Sequence, residues 1–242
     1  MHKVKKAIIM AAGFGSRMQP LTFQTPKPLI KVNGQRMIET VITALHQNGI
    51  QEIYVVTGYL KEKFAFLAEK YDHLTLIENP YFETANNVSS LYVARYALDD
   101  DVMILDGDQL IQDASILGAE FMHSGYSCSK IDNGTDEWLL QLNAQDQILS
   151  CSREGGQQGW RLYSISRWTK EDAARLQLQV KQEFEQDQHL DLYWDDLPMF
   201  KYFSQYQLFG HKINPAGLKE IDSIQELATI DPSYQGVIAD EK

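Results

Sequence analysis

Two glycines and an arginine stand close together near the start of the chain, in the stretch Ala11-Ala12-Gly13-Phe14-Gly15-Ser16-Arg17. The stretch follows a short apolar run, residues 6–10, that is typical of a buried strand. Glycines let the backbone approach oxygen atoms closely, and successive amide N–H groups in such a turn form a concave anion site, to which Arg17 adds charge. The stretch lacks the Gly-Lys-Ser/Thr of a P-loop and the third glycine of the dinucleotide fingerprint. On the glycines alone, an anion site and an ordinary tight turn are about equally good interpretations.

Two prolines bracket a lysine a few residues later, in Thr25-Pro26-Lys27-Pro28-Leu29. The prolines fix φ on either side of Lys27 and limit where its ammonium group can point. A restricted lysine close to a glycine turn favours binding of an anion such as a phosphate.

Carboxylates follow another apolar run, in Asp106-Gly107-Asp108. Near a polyphosphate, two carboxylates imply Mg²⁺, which prefers oxygen ligands and is typically held by one or two carboxylates together with substrate phosphates. A simple Asp- and Gly-rich turn is the alternative. Asp222, in Glu220-Ile221-Asp222-Ser223, is a further candidate, although Asp222 or Ser223 could equally be the N-cap of a helix.

Strands that alternate with helices must position these residues. Parallel β-strands covered by helices on both faces place ligands at the carboxyl ends of the strands, so we predict an α/β fold with a mostly parallel sheet. In the first half the patterns predict strands over 6–10, 52–57, 74–77 and 102–105, and helices over 37–47, 61–70 and 88–97. In the second half they predict helices over 114–123 and 169–184, short strands over 126–131, 138–142, 148–151 and 161–166, and an edge strand over 205–209.

The second half therefore adds a small antiparallel elaboration to the parallel sheet. No internal repeat or low-complexity linker divides the chain. We predict one domain, residues 1–242, in which the candidate anion site belongs to the first half.

Charge and cysteine usage limit the partners. A net charge of −11 argues against nucleic acid, which binds through clustered Lys and Arg. The first 36 residues nevertheless hold seven basic residues and no acidic one, which indicates either an uneven solvated surface or a site for a small polyanion. Cys128 and Cys151 have no metal-type spacing with histidines, so we predict reduced thiols. Without a run of roughly 20 apolar residues or a signal sequence, we expect a cytoplasmic protein with no membrane partner. The oligomeric state stays open.

The stretch AAGFGSRMQPLTFQTPKPLI resembles the signature of the sugar-phosphate nucleotidyltransferase superfamily, G-x-G-x-R followed by a P-K element. The resemblance implies a Rossmann-like nucleotidyltransferase fold in which Arg17 and Lys27 contact the phosphates. It further implies a nucleotide-binding half at about 1–110 and an acceptor-binding half at about 111–230. It also implies that Asp108 and Asp222 bind Mg²⁺. The nucleotide-binding set that we expect is Ala12, Gly13, Gly15, Ser16, Gly58, Asn86, Asn87 and Ser90.

Motifs in the rest of the chain resemble the bacterial CTP:phosphocholine cytidylyltransferases: Asn86-Asn87-x-x-Ser90-Leu91-Tyr92, Asp136-Glu137-Trp138, Asp191-Leu192-Tyr193-Trp194-Asp195 and Glu220-Ile221-Asp222-Ser223. This resemblance implies CTP and phosphocholine as substrates. Asp106-Gly107-Asp108-Gln109 departs from it toward the general superfamily form.

Aromatic rings beside carboxylates are suited to a quaternary ammonium, although buried aromatics more often only pack a core. With the resemblance added, we predict an acceptor site of Trp138, Asp191, Tyr193, Trp194 and Glu220. The alternatives are transfer to a sugar 1-phosphate or to aminoethylphosphonate, and a non-catalytic nucleotide-binding domain. Retention of Arg17, Lys27, Asp108 and Asp222 together counts against the last.

Overall fold

The computed structural model describes residues 1–239. Its main sheet has nine strands: β1 (Lys6–Ala11), β2 (Glu52–Thr57), β3 (Leu74–Glu78), β4 (Val102–Asp106), β5 (Gly125–Ile131), β6 (Leu139–Leu142), β7 (Ile148–Ser152), β8 (Gly159–Trp168) and β9 (Phe209–Lys212). The helices are α1 (Met37–Gln47), α2 (Ala65–Lys70), α3 (Val88–Ala94), α4 (Lys170–Lys181), α5 (Ile224–Ile230) and α6 (Gln235–Ala239). None of the helices within residues 1–239 combines the length and apolar character that a membrane span requires.

The first half of the chain forms the parallel part of the sheet, in the order β3-β2-β1-β4. The second half continues it in antiparallel fashion, because β8 pairs with β4, β5 and β6, and β6 forms a hairpin with β7. The last strand, β9, runs parallel to β5. The predicted α/β fold with a mostly parallel sheet is therefore confirmed.

Alternating apolar side chains of the parallel strands supply two cores, one on each face of the sheet. In β1, Ala7 and Ile9 pack with α1 and α2, whereas Ile8 and Met10 pack with α3 and α4. Such strands are buried on both faces, which is why they appear in the sequence as continuous apolar runs.

A third, smaller core lies under the segments that leave the sheet. It contains Met18, Ile30, Leu110 and Ile221, each of which is almost completely buried. Two short antiparallel strands, Gln109–Ile111 and Leu218–Glu220, join the segments that contain Asp108 and Asp222. This core therefore fixes the segments that contain Arg17, Lys27, Asp108 and Asp222 relative to one another.

Three predicted elements of the second half differ from the structure. Residues 114–123 are not a helix: a 3₁₀ turn, Ala114–Leu117, ends at Gly118, and Glu120–Phe121 then pairs with His2–Lys3. The predicted edge strand starts only at Phe209, because Phe203–Gln205 forms a 3₁₀ turn. The predicted helix over 169–184 is α-helical as α4 and continues as a π-helical turn, Gln182–Gln186.

Candidate active site

Two adjoining cavities open at the carboxyl ends of β1 and β4, with volumes of about 310 and 490 Å³. The ends of these strands are adjacent because Met10 pairs with Asp106, and the Gly107 amide donates to the Met10 carbonyl at 2.9 Å. The cavities meet at the side chains that line both of them: Arg17, Lys27, Asn87, Asp106, Asp108 and Asp222. A reaction between two ligands would take place at this junction.

The smaller cavity is bounded by the glycine turn after β1, including Ala12, Gly13, Gly15 and Ser16. Gly15 has a φ of +61°, and a Cβ there would lie only 2.9 Å from Cβ of Lys27. A side chain at position 15 would therefore strain the backbone and displace the lysine. Gly13 has open space around it, so the backbone there is free to face a ligand.

Lys27 lies at the centre of the junction. Its side chain is only 10% exposed, and its ammonium group contacts Oδ2 of Asp108 at 2.7 Å and Oδ1 of Asp222 at 2.8 Å. Burial alone would lower the pKa of Lys27, but the two carboxylates outweigh burial and raise it above its ordinary value. Lys27 is therefore a fixed positive charge at neutral pH.

Asp222 also accepts from Arg17 at 3.0 Å, so that two cations share one carboxylate oxygen. Although burial opposes it, the Lys27 ammonium lowers the pKa of Asp222. The N-cap of α5 is Ser223, which forms a capping box with Glu226. Because Ser223 and Glu226 satisfy the helix end, the Asp222 side chain is directed into the cleft.

The chemistry of the donor set fits Mg²⁺. Asp108 and Asp222 belong to separate segments, yet their carboxylates converge on one cation, the Lys27 ammonium. Two carboxylates that face a phosphate cavity are a usual protein contribution to a magnesium site. Asp106 lies beside these two carboxylates. Burial, and to a smaller extent the charges of Asp108 and Asp195, raise the pKa of Asp106 well above its ordinary value.

The larger cavity combines carboxylates with aromatic rings. The rings of Trp138 and Tyr193 are perpendicular, with centroids 6.3 Å apart. The Arg153 guanidinium lies 5.7 Å from the Trp138 ring centroid and contacts Asp196 at 2.5 Å. One cation of the protein therefore already occupies part of the surface of Trp138.

Carboxylates of the larger cavity differ in their partners. Glu220 accepts from Gln109 at 3.2 Å and forms an ion pair with Arg161. In contrast, Asp195 has no ion-pair partner within the described residues, and its buried Oδ1 faces the Tyr126 hydroxyl, whose hydrogen bond lowers the pKa of this carboxyl without outweighing burial. Burial raises the pKa of Asp195 to about 7. A buried carboxylate without a cationic partner is unfavourable when ionised, so Asp195 is suited to pair with a cation of a ligand.

Comparisons with known proteins identify the class of this cleft. Residues 6–123 match the model of the family described as nucleotidyl transferase. The 2-aminoethylphosphonate cytidylyltransferase of Lancefieldella rimae is 38% identical over 229 residues, which are 94% of this chain and 92% of that protein. The chain belongs to the nucleotidyl transferase family.

Two further relatives of this nucleotidyltransferase have names that specify a different acceptor. The choline-phosphate cytidylyltransferase of Streptococcus pneumoniae is 30% identical over 93% of this chain and 96% of the relative. A solved structure of CTP:phosphocholine cytidylyltransferase from Streptococcus pneumoniae superimposes with a TM-score of 0.87 and 29% identity, covering 96% of this chain and all of that one. The full-length relatives are thus cytidylyltransferases that differ in the acceptor.

The nucleotidyltransferase cleft contains most of the residues that the sequence singled out, but not all. Asn87 and Ser90 line the smaller cavity, and Trp138, Tyr193 and Glu220 line the larger one. Predicted residues outside both linings are Gly58, Asn86, Asp191 and Trp194.

Trp194 does not line the larger cavity, which corrects its prediction as a wall of the acceptor site. It is only 4% exposed, and its ring packs against Tyr126 and Trp168 in the core. Asp191 is exposed outside the cavity, and its carbonyl accepts from the Asn86 side chain at 3.1 Å. Asn86 therefore positions the loop and does not line the cleft.

Gly58 also has a packing role. A Cβ at this position would lie 2.8 Å from Cβ of Phe82 and 2.9 Å from the Ala12 carbonyl oxygen, so close packing against the glycine turn requires glycine. The residue that sequence reasoning missed is Asp195. Alternation along the segment was the available signal, because Tyr193 and Asp195 line the cavity while Trp194 between them enters the core.

Proposed function

We propose that this nucleotidyltransferase transfers CMP from CTP to a small phosphonate or phosphate ester that bears a primary ammonium group, with 2-aminoethylphosphonate as the leading acceptor. The observation that carries the proposal is the Asp195 carboxylate, which lines the larger cavity and has no ion-pair partner within the described residues. The 38% identity to a 2-aminoethylphosphonate cytidylyltransferase supports the same acceptor class.

The cation of the acceptor distinguishes the candidates. A primary ammonium group has three N–H donors, whereas a trimethylammonium group has none. The Asp195 carboxylate can therefore accept a charged hydrogen bond from the primary amine but not from the trimethylammonium group. A nearby ammonium would also favour the ionised form of Asp195, whose pKa of about 7 in the free protein reflects burial.

Phosphocholine is the second candidate, because the perpendicular Trp138–Tyr193 pair offers aromatic surface to a quaternary cation. Two relatives named for choline phosphate, at 30% and 32% identity, favour it as well. Against it stands the geometry of the cage: Trp194 is in the core, and Arg153 lies over Trp138. The remaining aromatic surface is small for a cation that binds through rings alone.

In the proposed reaction an oxygen of the acceptor phosphonate attacks the α-phosphorus of CTP. The bond from the α-phosphorus to the bridging oxygen breaks, and pyrophosphate leaves with that electron pair. The acceptor is largely dianionic near neutral pH, as the second pKa of about 6 for a phosphate ester illustrates, so no protein base is required. Arg17 and Lys27 would offset charge on the phosphates as it shifts toward the leaving group.

We propose Mg²⁺ as the cofactor. Asp108 and Asp222 would hold it, and the bound ion would neutralise phosphate charge as a Lewis acid. Each protein group then has its own role. The glycine turn binds the phosphates of CTP, Lys27 and Arg17 position them, and Asp195 selects the acceptor. We further propose that residues 1–242 act as one domain, with residues 1–110 binding the nucleotide and residues 111–230 the acceptor.

A matrix of substrates tests the proposal. CTP, UTP, ATP and GTP are crossed with 2-aminoethylphosphonate, phosphoethanolamine, phosphocholine and glucose 1-phosphate in the presence of Mg²⁺, and pyrophosphate release is measured. Reactions without acceptor control for hydrolysis of the triphosphate. We expect CTP with 2-aminoethylphosphonate to give the highest kcat/KM. A preference for phosphocholine would transfer the assignment to the second candidate, and turnover only with glucose 1-phosphate would contradict both.

A further inference from the structure

A third cavity, of about 380 Å³, lies outside the cleft and has a charge opposite to that of the whole protein. Lys31, Arg36 and Lys63 line it, and none of its lining residues within the described part of the chain is acidic. The chain as a whole carries a net charge of −11. A local cluster of cations in an acidic protein attracts anions.

The basic cluster accounts for part of the charge asymmetry in the sequence. Of the seven basic residues among the first 36, Arg17 and Lys27 line the catalytic cleft, whereas Lys31 and Arg36 line this third cavity. Arg36 is partly neutralised by Glu39 at 3.0 Å. The side chains of Lys31 and Lys63 are exposed and can turn toward a ligand.

The wall of the cavity is apolar and aromatic. Leu29 is 6% exposed and forms part of the wall, together with the half-buried rings of Phe66 and Tyr234. The Arg36 guanidinium lies 4.4 Å from the Phe66 ring centroid, and the Tyr234 hydroxyl donates to the Lys31 carbonyl at 2.8 Å. Cations and apolar surface therefore face the same space.

We propose that this cavity is a second binding site, for a small organic phosphate or sulfonate that has an apolar or aromatic body. Pro26 and Leu29, which flank the Lys27 turn, both belong to its lining. The same turn thus contacts a ligand of this cavity on one side and presents Lys27 to the catalytic cleft on the other. The proposal does not depend on the identity of the acceptor.

Phenyl phosphate tests the site because it combines one ring with one phosphate. Its binding is measured by isothermal titration calorimetry to the full chain with CTP and Mg²⁺ present in excess, which would occupy the smaller cavity of the cleft, and the variants below distinguish the third cavity from the larger cavity of the cleft. We expect one site, and at least about tenfold weaker binding of inorganic phosphate, which lacks apolar surface, and of phenol, which lacks charge.

Matched variants locate the binding. Lys31→Glu combined with Lys63→Glu should weaken phenyl phosphate binding about tenfold or more, since two attractive charges become repulsive. Lys61→Glu is the control, because Lys61 lies on the same turn as Lys63, pairs with Glu78 and does not line the cavity. Both proteins should keep the unfolding temperature of the parent within a few degrees, because the replaced side chains are exposed. No binding to the parent protein, equal binding to the double variant, or complete displacement by CTP and Mg²⁺ would each overturn the proposal.

Discussion

Replacing Asp195 by Asn isolates the role of the carboxylate in choosing the acceptor. The substitution nearly keeps the volume of the side chain, removes its charge and replaces one acceptor oxygen by an NH₂ donor, which cannot accept from an ammonium group. A hydrogen bond to a charged group contributes about 1.5 to 3 kcal/mol, so kcat/KM for 2-aminoethylphosphonate should fall about 10- to 150-fold. The kcat/KM for phosphocholine, which has no N–H to donate, should change much less.

The pH dependence provides a second measure of the same effect. Burial raises the pKa of Asp195 to about 7, so the carboxylate is mostly neutral below pH 7 and ionised above it. The advantage of the parent enzyme over Asp195→Asn should therefore be small well below pH 7 and reach its full size well above it. The acceptor phosphonate titrates in the same range, but its contribution cancels in the ratio of the two enzymes because both receive the same substrate.

Asp191→Asn is the matched control, because Asp191 is an exposed acid of the same loop and does not line the cavity. It should leave kcat/KM for both acceptors and its pH profile unchanged. Continuous pyrophosphate detection gives all of these rates. The decisive quantity is kcat/KM for 2-aminoethylphosphonate in the parent enzyme divided by that in Asp195→Asn. A ratio near one at high pH, or a ratio that does not vary with pH, would refute the assignment of Asp195 as the partner of the ammonium group.

Three further predictions concern the junction and the aromatic residues. Lys27→Ala should lower kcat roughly 10²-fold or more, in line with losing a transition-state donor, and a near-normal kcat/KM in single-turnover and steady-state assays would contradict its position in the site. Asp222→Asn should raise the Mg²⁺ concentration needed for half-maximal rate. Ser223→Ala, which removes the N-cap, should instead lower the free energy of unfolding by about 1 kcal/mol and leave the Mg²⁺ requirement unchanged. The reverse pattern would make Asp222 a structural residue. Trp138→Ala should raise KM for the acceptor far more than KM for CTP. Trp194→Ala should instead reduce the free energy of unfolding, measured by urea titration, by about 3 to 5 kcal/mol. Equal losses of stability in the two variants would contradict the assignment of Trp138 to the cavity and Trp194 to the core.

The parallel half of the fold was predictable because its signals are local. The helix Met37–Gln47 and the strand Glu52–Thr57 have the predicted bounds. The helix has a clear apolar face, and Gly49, with a φ of +76°, forms the turn that follows its C-cap. The prediction of a helix over residues 114–123 was wrong because Glu120–Phe121 pairs with His2–Lys3, more than 100 residues away, and this pairing overrides the local helical pattern.

The site was predictable at the strand ends and less so in the second half. Parallel strands place their carboxyl ends at one edge, so the nearness of the glycine turn and Asp108 follows from the order of elements. The contact of Lys27 with Asp222, 195 residues apart, depends on tertiary packing of the small core beneath them. Motif similarity also treats neighbouring residues alike, and therefore could not separate the core residue Trp194 from the cavity residue Asp195.

A direct competition between acceptors tests the central claim. Equimolar 2-aminoethylphosphonate and phosphocholine are incubated with limiting CTP and Mg²⁺, and the two CMP conjugates are quantified by mass spectrometry. The ratio of products equals the ratio of the two kcat/KM values, independent of enzyme concentration. A cleft in which Asp195 lacks a cationic partner and the aromatic surface is small predicts that the CMP conjugate of 2-aminoethylphosphonate predominates by about tenfold or more, the value of one charged hydrogen bond. CDP-choline as the main product would contradict it.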